Sequence, residues 1–180
     1  MQTRTCPNNP RQRGAILVIS MMLLLMLTII GVTAMNVVTI EERMAGNLRD
    51  ANIAFQGAEA ALRDGEDFLA PLIAEPATCT GAPCSVWDKD AAALADMAYK
   101  DRGWWDSNGQ EYGVDGTLEI GRNQDPHSII EFQEFVRDSL TVGHAPPPTG
   151  RVFYRVTGWS EGGSEDAIAV LQTTVAKRFN

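Results

Sequence analysis

The sequence predicts an α+β protein: one long N-terminal helix whose second half packs on a small C-terminal antiparallel sheet. Three observations predict it. Residues Gly14 to Ile40 carry no Asp, Glu, Lys or Arg. Apolar residues then recur at helical spacing as far as Leu62, and the last thirty residues alternate in the manner of paired strands. The length of 180 residues leaves room for one folded domain and an appendage.

The apolar run Ala15 to Val38 has 24 residues, more than the ~20 that cross a bilayer core as a helix. Arg4, Arg11 and Arg13 precede it and no acid does, so the positive-inside rule puts the N-terminus in the cytoplasm and the rest of the chain beyond the inner membrane. A cleaved secretory signal is the competing reading. Its apolar core would be shorter, ~7 to 15 residues, and followed by a small-x-small site. The 12 basic and 23 acidic residues after Arg13 leave a net charge of −11, and no basic stripe interleaves with aromatics, which disfavours nucleic-acid binding.

Beyond the membrane run, Ile40, Met44, Leu48, Ala51, Phe55, Ala58 and Leu62 follow one another at intervals of three or four. Polar residues such as Glu42, Arg49, Gln56, Glu59 and Arg63 fall between them, so the segment reads as an amphipathic helix with one apolar stripe. No proline occurs between Ala15 and Ala70, and Pro71 supplies the stop. A continuous helix over Ala15 to Ala70 would reach ~84 Å at ~1.5 Å per residue, of which a bilayer uses ~30 Å. The remainder needs a cover for its stripe. Gly31, Gly46, Gly57 and Gly65 each weaken the helix by up to ~1 kcal/mol. Gly31 is either a tolerated loss or a place of close helix contact and local unwinding.

These boundaries give residues 1–14 as a cytoplasmic leader, 15–38 as the membrane half of the helix, 39–70 as its amphipathic half and 71–180 as a head. Within the head, Asp90 to Lys100 reads as a short Ala-rich helix and Thr117 to Gly121 as a strand. Ile129 to Leu140 is ambiguous, and Ala145 to Gly150 is a proline-rich connector. Arg151 to Trp159 and Ala167 to Phe179 form a terminal hairpin around Glu161-Gly-Gly-Ser164. Three cysteines leave one odd thiol. Cys6 precedes the membrane run, so Cys79 and Cys84 remain as a pair across a Thr-Gly-Ala-Pro turn in an oxidising compartment, which favours a disulfide over free buried thiols.

Catalytic and metal motifs do not assemble. Gly158-Trp-Ser160-Glu-Gly162 matches G-x-S-x-G, but the motif lies between two strands and no His follows it. Asp106-Ser-Asn108-Gly-Gln110-Glu111 resembles an acidic calcium loop with its glycine out of place and without the twelfth-position Glu, so a polar loop is the expectation. Two histidines and one C-x4-C do not supply a zinc site. The expectation is a protein with no cofactor, no metal and no catalytic residues.

The N-terminal half carries a resemblance. A basic leader ending Arg13-Gly14, followed at once by Ala15-Ile-Leu-Val-Ile19, looks like the class III signal of the type IV pilin superfamily. Glu42-Arg-Met-Ala-Gly-Asn-Leu-Arg-Asp50 and Ala54-Phe-Gln-Gly-Ala-Glu-Ala-Ala-Leu-Arg63 resemble the PilX-type minor pilins, as do Phe153-Tyr-Arg-Val-Thr157 and Ala169-Val-Leu-Gln-Thr173. The resemblance implies a pilin-like fold, cleavage by a prepilin peptidase after Gly14, methylation of Ala15, and assembly through the helix, with Ile19, Gly31, Ala34, Ile40, Met44 and Leu48 on the assembly surface. One departure is Ile19. The family usually carries Glu at this fifth mature position, where it is thought to meet the terminal amine of a neighbouring subunit, and a subunit at the tip has no subunit ahead of it.

What the resemblance implies is a non-enzymatic minor pilin that helps to initiate type IV pilus assembly and presents the tip. Its partners would be other minor pilins, the major pilin, a tip adhesin, the inner-membrane assembly platform and the prepilin peptidase. It would start as a single-pass inner-membrane protein with a periplasmic head and end on the pilus at the surface of a Gram-negative bacterium, in adhesion and twitching motility. The alternatives are a tip pseudopilin of a type II secretion system and a single-pass, membrane-anchored periplasmic binding domain or enzyme.

Overall fold

A computed structural model describes residues 15–112, 125–138 and 149–179. The leader 1–14, the expected strand Thr117 to Gly121 and most of the proline-rich connector lie outside these residues. Helix α1 runs over Ala15–Leu69, one residue short of the expected end. The chain divides into two compact units, one ending at Gly46 and the other spanning Asn47–Asn180.

In the first unit the described residues, 15–46, are all helical and all exposed. The hydroxyls in this run are satisfied by the helix itself. Ser20 donates to the Leu17 carbonyl and Thr28 to that of Leu25, both at 2.8 Å. Thr33 donates to Ile29 at 2.8 Å and Thr39 to Met35 at 3.0 Å. Such back-bonding hides the polar groups of an otherwise apolar run, as a bilayer requires.

In the second unit, Asn47–Leu69 of α1 is followed by β1 (Trp87–Asp88), two 3-10 turns (Ala92–Leu94 and Met97–Tyr99), α2 (Arg102–Asn108), β2 (Gln110–Glu111), β3 (His127–Arg137), β4 (Gly150–Glu161) and β5 (Ile168–Lys177). The sheet order is β1-β3-β4-β5, with β2 also on β3. The terminal hairpin is β4–β5, in an unbroken register from Val152 opposite Lys177 to Glu161 opposite Ile168. The ambiguous segment is β3, a strand kinked by a bulge between Phe132 and Glu134. The sheet is mixed rather than purely antiparallel, because β1 runs parallel to β3. The expected helix over Asp90 to Lys100 is replaced by the two 3-10 turns, which Asp96 separates by adopting a left-handed φ of 54°.

Alternation along the strands gives the sheet two covered faces. Val152, Tyr154 and Val156 of β4 join Ile130, Leu69 and Val86 in one core, with Leu62 and Phe68 of α1 against it. Trp159 and Ile129 point the other way, into a core of Trp87, Leu94, Met97 and Trp105. Here the Trp105 and Trp159 rings stack at 5.7 Å and Trp104 meets Trp105 edge-on at 5.2 Å. The Cys79–Cys84 disulfide lies beside this second core, with Cys84 packed on it and Cys79 bridging to Trp87.

The helix seats on the sheet through small residues. Ala54, Gly57, Ala58, Ala61, Gly65 and Leu69 are its buried positions. A Cβ at Gly65 would come 2.5 Å from Val156 Cγ1, and one at Gly158 would collide with the Ala58 carbonyl oxygen, so backbone approaches backbone with no room for a methyl. This corrects the apolar stripe. Of its members only Ala58 is buried and Leu62 half-buried, while Ile40, Met44, Leu48, Ala51 and Phe55 are exposed.

The end of α1 is closed by a side chain from the sheet. Lys177 Nζ donates to the carbonyls of Leu69 and Ala70, placing a cation where the helix dipole is negative. Lys177→Met should lower the stability of the head by about 1 kcal/mol, read as a lower Tm with an unchanged far-UV spectrum.

Candidate assembly helix

The expected assembly residues share a helix and an exposed state. Ala15 is the first residue of α1, and Ile19 is 56% exposed, Ile40 58%, Met44 61% and Leu48 66%. Ala34 is exposed, and a Cβ built on Gly31 meets no atom within 4 Å. Gly14 lies outside the described residues. Ile19, Gly31, Ala34 and Ile40 are successive exposed points along α1.

Within the second unit the outward side of the helix continues the pattern. Leu48, Ala51 and Phe55 remain exposed while the seam of Ala54, Gly57, Ala58 and Ala61 faces the sheet. Hydrophobic periodicity gives one stripe, Ile40 to Leu62, for the sheet to cover, but only Ala58 and in part Leu62 of it are covered, and the contact is made by a seam of small residues. Its signal in the sequence is the recurrence of Ala and Gly at intervals of three and four from Ala54 to Gly65.

Asp50, which sequence reasoning passed over, ties this part of the helix to the β4–β5 turn. Its Oδ1 accepts the backbone N–H groups of Gly163 and of Ser164, the latter at 3.2 Å, and its Oδ2 accepts the Ser164 hydroxyl. These bonds, led by that of the Ser164 hydroxyl, hold the Asp50 carboxyl below its ordinary value of 3.8. The same turn is held from α2, where Arg102 Nε donates to Glu161 Oε1 at 3.2 Å and Arg102 Nη2 pairs with Oε2 of the nearly buried Glu161. Glycine is required at 162, where a Cβ would stand 2.5 Å from the Asp50 carbonyl oxygen.

The sign of the pH effect follows. A carboxyl whose folded pKa is depressed adds stability above its unfolded pKa and loses it as pH falls through the folded value. Asp50→Asn should lower the Tm of the protein at pH 7, and the gap to the parent chain should close below about pH 3.8. His127, buried against Trp159 and held below 6.5 by desolvation, removes stability from both proteins alike as pH drops from 6.5, so it cancels in the difference.

The motif candidates resolve into structure. Ser160 is buried in β4 and its hydroxyl donates to the Glu161 carbonyl at 3.1 Å. Asp106-Ser-Asn108 is the end of α2 rather than a loop, Gly109 caps it, and Gln110-Glu111 is β2. Among the described residues no group of three or more His, Cys, Asp or Glu is arranged to hold a metal ion. Burial raises the Glu131 carboxyl and, with Glu75, pushes the Tyr154 hydroxyl up to about 12, both as groups of the folded sheet.

A first helix apolar and long enough to cross a membrane, continuing into a head in which a helix seats on a small sheet, defines a pilin-like protein. The family model PilX N-terminal matches residues 13–63, and the model Type IV pilus assembly protein PilX C-term matches residues 57–177. The chain belongs to the PilX family of type IV pilus proteins, whose members are structural subunits. The comparison with curated proteins and with solved structures finds no match.

Proposed function

We propose that this chain is a minor pilin that helps to initiate type IV pilus assembly and presents the tip. The observation that carries the reading is the conjunction of the two family matches, N-terminal and C-terminal, with a helix whose bulky apolar residues Leu48 and Phe55 are exposed beside the seam that seats on the head's own sheet. Those residues would pack on the helices of other minor pilins and of the major pilin, with the head turned to a tip adhesin. Before assembly the apolar run holds the chain in the inner membrane, N-terminus in the cytoplasm and head in the periplasm, at the assembly platform. Ile19 supports a place at the tip, since an aliphatic side chain forms no ion pair with the amine of a subunit ahead. Residues 39–70 serve as the coupling helix and 71–180 complete the head.

Processing tests the reading first. Gly14 has no side chain to obstruct a peptidase at the membrane surface, so mature protein should begin at Ala15 with a methylated amine. Gly14→Glu should leave the leader attached. Intact mass of membrane-extracted protein checks both, and retention of Met1 to Gly14 in a strain with active prepilin peptidase would refute the assignment.

A further inference from the structure

We propose that the outer edge of β5 is a self-association surface, and that its occupant is β5 of a second copy of this chain, running antiparallel about an axis through Gln172. The inference concerns the head and does not rest on the pilus reading.

The two edges of the sheet differ. The β3 edge is paired with β1 and β2 and lies beside the Cys79–Cys84 bridge. The β5 edge, among the described residues, pairs with no strand beyond β4. It is ten residues long, in regular register with β4, and free of proline. Soluble proteins blunt such an edge with a bulge, a proline or an outward lysine. Here Ile168 to Ala176 carry no charge, and Lys177, the single charge on the strand, is spent on the carbonyls of Leu69 and Ala70. The edge therefore offers a ladder of backbone groups to another extended strand.

Charge selects the strand. β5 is preceded by the exposed acids Glu165 and Asp166 and followed by Arg178, which is half-exposed although it reaches Asp138 at 2.8 Å. An antiparallel partner must be basic where this strand is acidic and acidic where it is basic. A second β5 meets both conditions. In a twofold antiparallel pair, residues directly opposite share a face, so an axis at Gln172 sets Val170 against Thr174 and Ile168 against Ala176, and brings the turn that holds Asp166 beside Arg178 just past the partner strand's end, twice over. Gln172 and Thr174 are exposed and polar or small, and neither obstructs the approach.

The test is cysteine cross-linking of the full-length chain in detergent micelles, in a Cys6→Ser background with the Cys79–Cys84 bridge intact. Directly opposite residues lie ~4.5 to 5.5 Å apart at Cα, within disulfide reach. Gln172→Cys should form a covalent dimer under mild oxidation at least tenfold faster than Thr174→Cys, whose two copies would be ~13 Å apart along the strands. Asp166→Arg on the Gln172→Cys chain should slow dimer formation several-fold, and adding Arg178→Asp should restore it, because the reversed pair is again self-complementary. Equal cross-linking at both positions, none at either, or an Asp166→Arg effect that Arg178→Asp does not rescue would overturn the proposal. So would a different polypeptide captured at Gln172→Cys in place of a second copy.

Discussion

Trp105→Ala is expected to destabilise the head by about 3 to 5 kcal/mol, the range for deleting a large buried aromatic. Trp105 is fully buried, and its ring holds three things together: it stacks on Trp159 of β4, meets Trp104 edge-on, and shares a core with Trp87 and Ile129. Its removal empties the contact between α2 and the sheet. Arg102, which holds Glu161 from the same short helix, would lose its support as well. Denaturant unfolding checks the figure. A loss below about 1 kcal/mol would mean that the second face of the sheet is covered by something other than this cluster. The first core, of Tyr154, Val156 and Leu69 on the opposite face of the same sheet, should keep its secondary structure under conditions where the variant head remains folded.

The second large effect is on assembly rather than on stability. Leu48 stands on the exposed side of α1, 66% open, in line with Met44, Ala51 and Phe55 and away from the Ala54–Gly65 seam. Leu48→Glu therefore costs the isolated protein little, since a surface change away from packed features is worth within ±0.5 kcal/mol. In a helix-to-helix contact the same carboxylate would be desolvated without a partner, at several kcal/mol. The expected result is an unchanged Tm together with a loss of co-purifying minor pilins of tenfold or more. Leu48→Met should behave as the parent, because the change keeps volume and apolarity.

How much of this could be read in the sequence depended on the kind of force involved. The apolar first part of α1 and the β4–β5 hairpin were legible as a helix and a strand pair, because each repeats a single pattern over ten or more residues. The existence of one unbroken helix was legible too, but the side of it that packs was not. Hydrophobic periodicity weights Met44, Leu48 and Phe55 heavily and Gly57, Gly65 and Ala61 hardly at all, whereas the seam forms by close backbone approach that only small residues allow. The two-residue strands β1 and β2 carry no pattern of their own and exist because β3 offers them an edge. The Ala-rich stretch after Asp90 has helix propensity but too few residues to nucleate against the sheet packing that fixes Leu94 and Met97. Asp50 was missed because its partners, Gly163 and Ser164, are more than a hundred residues away.

Cys79–Cys84 was legible by parity alone, and its structural setting adds why it matters. The Cys79 N–H donates to the Val86 carbonyl at 3.0 Å and the Asp88 N–H to the Cys79 carbonyl at 2.9 Å, so the bridge folds the chain back onto β1 at the edge that carries Trp87 into the core. The open β5 edge and the closed β3 edge thus differ by covalent chemistry as well as by pairing.

The central claim is that the free side of α1 makes this chain a pilus subunit. The direct measurement is the content of pili sheared from cells that express either the parent chain or Leu48→Glu, with the head folded in both. The mature chain, beginning at Ala15, is expected in the sheared fraction of the parent. Leu48→Glu is expected to be absent from that fraction and retained in the inner membrane. Leu48→Glu present in sheared pili at the parental level would contradict the claim.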